Sequence, residues 1–181
     1  MKRKLILLFA IAALISILST GTLAYHVVYG TAENVITTGN VDLVLHNRNA
    51  DGSTVSDKGV LCLPGSVVDR VVTVENAGEQ PFYVRISLRK YVENSTLPAQ
   101  DCLNIAVDTV NWTLRDGYYY YHEALQPGMT TSPLFTEVEI DAVNVDNAYL
   151  GKTLMLDVSA YAVQSRNNGE SVMDAVGWPG P

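Results

Sequence analysis

Cysteine and histidine are scarce in this chain, with two and three copies in 181 residues, and basic side chains number only twelve against nineteen acidic ones. So few cysteines exclude a disulfide-dense scaffold, and no spacing of Cys and His matches a structural zinc site. Beyond Lys4 the nine remaining basic residues stand singly or in one pair, which excludes the clustered positive charge that phosphate backbones require, so no nucleic-acid partner is expected. A sustained 3.6-residue apolar stripe is also missing, which argues against a helical bundle. A chain of this length is too short for a large multidomain enzyme.

One long apolar run is present, and it lies at the start. Lys2, Arg3 and Lys4 precede fourteen uncharged, mostly apolar residues from Leu5 to Leu18, followed by Ser19-Thr20-Gly21-Thr22-Leu23-Ala24. A basic n-region, a short apolar core and small residues at Thr22 and Ala24 are the layout of a secretory signal peptide, with cleavage expected between Ala24 and Tyr25. Residues 5 to 24 also match the length of an uncleaved membrane anchor, but the Ser, Thr and Gly of the last third favour cleavage. Contact with a membrane is therefore expected only through the leader before it is removed. Cleavage leaves nine basic and nineteen acidic residues, a formal charge near −10 that suits a soluble exported protein. In an oxidising compartment Cys62 and Cys102, forty positions apart, either form one disulfide, worth roughly 4 kcal/mol in the chain-entropy view, or remain two buried thiols.

The mature chain reads as strands. Phe82, Val84, Ile86 and Leu88 alternate with Tyr83, Arg85, Ser87 and Arg89, so one face enters a core and the other carries charge. A run over residues 67–76 precedes it, separated by Ala77-Gly78-Glu79-Gln80-Pro81, and the two are expected to pair as a hairpin. Asp116-Gly117 marks a second hairpin between the run holding Trp112 and Leu114 and the four tyrosines Tyr118 to Tyr121. Of these, two should face the core and two the outer surface. Further alternation over 134–141 and 154–162, with Val41 to Leu45 near the start, brings the count to seven or eight strands. The expectation is an all-β, antiparallel β-sandwich over residues 25–168, with helical turns only in loops near 142–150 and 169–176. The Pro- and Gly-rich end of the tail over residues 169–181 is expected to be loose unless Trp178 docks.

A search for chemistry finds little. The histidines His26, His46 and His122 share no metal-binding motif, and no nucleophile elbow, phosphate loop or dinucleotide fingerprint occurs. Asn47, Asn49, Asp51 and Gly52 imitate the start of a calcium loop, but Lys58 stands where a bidentate Glu is needed, so a polar hairpin turn is expected. No cofactor, no metal and no enzymatic activity are expected.

Several phrases in order carry a family resemblance. They are Gly21-Thr22-Leu23-Ala24-Tyr25, the stretch Ala32-Glu33-Asn34-Val35-Ile36-Thr37-Thr38-Gly39-Asn40-Val41-Asp42-Leu43, Pro64-Gly65, Tyr83-Val84-Arg85-Ile86, Leu125-Gln126-Pro127-Gly128 and Ala160-Tyr161-Ala162-Val163-Gln164. Over residues 21 to 164 the chain resembles the TasA/camelysin family of bacterial exported proteins, whose leaders are processed by a SipW-type signal peptidase. The resemblance implies a jelly-roll-like sandwich, secretion to the matrix or surface of a Gram-positive cell, and head-to-tail fibres of biofilm matrix built by donating an N-terminal strand to the next subunit. Tyr25, His26, Val27, Val28 and Tyr29, uncharged at neutral pH and rich in strand formers, are the expected core of the donor, which would reach to about Ile36. A monomeric surface adhesin is the alternative. The metalloprotease label attached to camelysin-like proteins finds no zinc ligands here to support it.

Overall fold

The computed structural model describes residues 25–27, 33–37, 41–54, 60–62 and 64–180, and for the strands at 25–27, 33–37 and 60–62 it describes backbone pairing alone. The leader and the junction after Ala24 lie outside the described residues, as do Val28 and Tyr29. Twelve strands are present among the described residues: β1 (Tyr25–Val27), β2 (Glu33–Thr37), β3 (Leu43–Arg48), β4 (Val60–Cys62), β5 (Val67–Asp69), β6 (Val71–Asn76), β7 (Phe82–Val92), β8 (Leu103–Ile105), β9 (Trp112–Arg115), β10 (Tyr118–Tyr121), β11 (Glu137–Ile140) and β12 (Leu154–Gln164). The one helical element among them is a 3-10 turn at Asn147–Tyr149, capped by the Asp146 carboxylate. The chain is all-β, and no described helix is long and apolar enough to cross a membrane.

The strands form two layers around one core. The first is a five-stranded sheet ordered β2-β12-β7-β10-β9, in which β7 and β12 pair along eleven residues each. The second holds β3 with β6 and, beside them, β5-β11-β8. Main-chain bonds tie β6 and Arg70 to the segment that leads into β11: Arg70 N to Thr136 O, Val72 N to Phe135 O, Leu134 N to Val72 O and Asn76 N to Met129 O. Period-two alternation decides which side chains lie between the layers. Val84, Ile86, Leu156, Val158 and Ala160 from the first meet Leu45, Val72, Val74, Leu134, Val138 and Ile140 from the second in one buried cluster. Trp112 is fully enclosed there, its ring 5.0 Å from that of Tyr121 and its indole N–H donating to Ser132 O. At about 25 cal/mol per Å2 of apolar surface removed from water, this cluster is the main source of stability.

One expectation needs correction. Residues 67–76 and β7 do not form a hairpin: β6 pairs with β3, and β7 belongs to the other layer. The buried Asn76 makes the corner, accepting from Gly78 N through its Oδ1 and donating through Nδ2 to Gln80 O and Leu125 O. These bonds satisfy a turning main chain that a two-strand ladder would otherwise have used. The sandwich is antiparallel as expected, with one parallel pair among the described strands: β2 runs beside β12, from Glu33 opposite Val158 to Thr37 opposite Ala162. The outer face of β7 carries Arg85 and Arg89, and on it Tyr83 and Arg85 are buried beneath the segment after β12.

The Asp116-Gly117 hairpin is as expected. Both residues have positive φ, 51° and 81°, which matches the twist of the flanking strands, and Tyr118 stands opposite Arg115. The tyrosines divide by parity, Tyr119 and Tyr121 against the main core, Tyr118 and Tyr120 on the outer face.

Candidate functional site

The N-terminal arm occupies two places. Tyr25–Val27 pairs antiparallel with Val60–Cys62, Tyr25 opposite Cys62 and Val27 opposite Val60. Glu33–Thr37 lies along β12 at the margin of the five-stranded sheet, touching that sheet on one side only. The residues expected to act as the donor and the residues that complete the large sheet are therefore two neighbouring strands. The next strand in sequence, β3, belongs to the other layer.

Such an edge has a simple chemistry. Between Val158 and Ala162 the main chain of β12 pairs with β7 on one side and with β2 on the other. Without β2, the amides and carbonyls on that side lose their partners and become an acceptor for any extended segment. Over that stretch the side chains of β12 inside the sandwich are Val158, Ala160 and Ala162, two of them small.

The histidines do not converge. His46 Nε2 lies 2.7 Å from Glu75 Oε2, and its Nδ1 lies 3.1 Å from Arg48 Nη2. His122 Nε2 lies 2.7 Å from the Thr113 hydroxyl, and the side chain of His26 is outside the described residues. No group of three or more His, Cys, Asp or Glu side chains among the described residues could hold a metal ion. The segment that imitates a calcium loop is a polar turn. Asn47 is buried and accepts from Arg70 Nε, Asn49 donates to Ser53 Oγ, and Asp51 accepts from the Ser53 hydroxyl and amide, which hold its carboxyl below the usual 3.8.

Cys102 is a free, buried thiol whose Sγ donates to Pro98 O at 3.4 Å, and burial pushes its pKa up. The same carbonyl accepts from Tyr149 Oη, and the Cys102 contact together with burial pushes that phenol up to about 12. The side chain of Cys62 lies outside the described residues.

A second constellation is not legible as a site in the sequence. On the outer face of the first sheet the Arg85 guanidinium sits 3.9 Å from the centre of the Tyr118 ring, 4.8 Å from Trp178 and 5.4 Å from Tyr161. Its Nη1 donates to Tyr120 Oη and its Nη2 to Pro179 O. The signal available is the outward parity shared by Tyr83 and Arg85 and by Tyr118 and Tyr120, plus one Trp-Pro pair. Nothing local says that these meet.

Comparison with known proteins found no matching family model, no matching curated protein and no matching solved structure. A functional reading therefore rests on the sequence motifs and on the geometry above.

Proposed function

We propose that the mature chain is an exported structural protein of the TasA/camelysin kind that assembles into extracellular fibres by passing its N-terminal arm to the next subunit. The observation that carries this reading is the parallel seat of Glu33–Thr37 on the edge of β12. That seat is filled by a terminal strand joined to the sheet on one side, so the same strand from a second copy can fill it with the same main-chain bonds. A swap of this kind costs little, because the ladder formed with a neighbour replaces an identical ladder within the chain. Head-to-tail repetition then gives an open filament rather than a closed dimer.

Negative-stain electron microscopy tests it, using the chain that begins at Tyr25 beside one lacking Tyr25 to Ile36. Fibres are expected only from the longer chain. Fibres of normal form from the shortened chain would sink the arm-exchange mechanism, and a stable monomer from both would favour a surface adhesin instead.

A further inference from the structure

The second layer ends at β8, which pairs with β11 on one side and with no strand on the other among the described residues. Beside it lies a cleft of about 630 Å3 whose walls include Lys90, Asp101, Ile105, Ala106, Glu137 and Glu139. Lys90 comes from β7 of the first layer and the others from β8, β11 and the residues next to β8, so the cleft sits where the two layers meet.

Hydrogen bonding in an antiparallel ladder alternates, so successive residues of an edge strand aim their main-chain groups towards the partner and away from it. Asp141 N donates to Cys102 O, and Asn104 stands opposite Glu139. Cys102 and Asn104 therefore face β11, and the main-chain groups of Leu103 and Ile105 face the open side. Leu103 O is already taken, because Lys90 Nζ donates to it at 2.7 Å and to Gln100 O at 3.0 Å. Ile105 is only half-buried, and its amide and carbonyl stand ready for an extended chain.

Charge selects the kind of chain. Val138 and Ile140 enter the core, so Glu137 and Glu139 point outward, and both are exposed, as is Asp101 just before β8. Three carboxylates against the one ammonium of Lys90, itself spent on two carbonyls, leave these walls with a net charge of −2. Neighbouring strands lie about 4.8 Å apart, so a lysine or arginine on a strand added beside β8 can reach across it to Glu137 and Glu139. The alternate side chains of such a strand turn inward beside Leu103 and Ile105, which pack on the core, and there β-branched residues fit best.

We propose that the open edge of β8 takes up an extended basic peptide of a partner protein as an added strand, its cations held by Asp101, Glu137 and Glu139 and its β-branched residues turned inward. This edge belongs to the second layer and the seat of the arm to the first, so docking here does not depend on fibre assembly.

The test is fluorescence polarisation with the whole mature chain and a short labelled peptide that alternates lysine with valine. Saturable binding is expected at low salt, weakening as salt rises, and a peptide that alternates glutamate with valine should not bind. Glu137→Gln together with Glu139→Gln should weaken binding by about tenfold or more; both side chains are exposed, and thermal melting checks that the fold is kept. The lysine peptide N-methylated on every amide keeps its charges and loses its donors, and should bind at least about tenfold more weakly. No saturable binding of the lysine peptide overturns the proposal, as does equal binding by the doubly substituted chain or of the N-methylated peptide. A glucosamine oligomer that binds where the peptide does not would assign the face to a polysaccharide, and concentration-dependent dimers without peptide binding would assign it to a second copy. Either result also overturns the proposal.

Discussion

Arg70 is fully buried, donating from Nε to Asn47 Oδ1 and from Nη2 to Leu156 O, and so ties the two layers together through the core. Removing it leaves a cavity and takes away the donor that Asn47 and Leu156 face. Arg70→Ala should therefore cost about 3 kcal/mol or more, read as a lower urea midpoint with an unchanged slope. The arginine gives no sign of this in the sequence, where it is one polar residue within the run over residues 67–76. Asn47 stands out there for a different reason, as an imitation calcium ligand. Its real partner is 23 residues away, at a distance no local pattern records.

Elements show a closer match between pattern and outcome. The Asp116-Gly117 hairpin is readable because turn chemistry and alternation agree over ten residues, and it depends on Gly117 at φ 81° with open space around its Cβ position. Gly117→Ala should cost about 1 kcal/mol through backbone strain alone, checked by the shift in thermal midpoint. Besides the turn at Asp51, two turns contribute to the response to acid. Asp108 accepts from the Asn111 side chain and the amides of Val110 and Asn111, while Asp141 accepts from the amides of Asn144 and Val143 and from Asn104. Those bonds hold both carboxyls below the ordinary 3.8. A depressed folded value means stability that is present above about pH 4 and lost as pH falls through the folded values. Acid titration of the D108N variant should show a shallower loss of stability below pH 4 than the parent chain. Tyr149 acts at the other end: its raised value of about 12 holds stability below pH 10 that is lost as pH rises towards 12, and Tyr149→Phe should flatten that alkaline limb.

At the scale of the whole molecule the arm and the tail occupy two different surfaces of one sheet, its margin and its outer face. Val35 and Ala160 are register partners across β2 and β12, so cysteines placed there, with Cys62 and Cys102 changed to serine, should lock the arm onto its own chain. The locked chain is expected to stay monomeric until a reductant is added and then to form fibres; fibres from the oxidised chain would show that β2 need not leave. Composition and period two are sufficient for the class, the core-facing parity of β7, β11 and β12 and the division of the tyrosines, because burial of one strand face is a local pattern. Strand partners are another matter. Whether β6 turns to β7 or to β3, whether β2 runs parallel to β12, and whether Arg85 meets Trp178 depend on contacts between residues far apart in the chain, such as Glu33 with Val158 and Arg85 with Pro179. Local pattern settles the longer strands and which of their faces meets the main core, while short ones such as β4 and β8 leave no such mark. The choice of partner belongs to the folded whole, because main-chain hydrogen bonds carry no side-chain label and are allotted by the packing of the two layers.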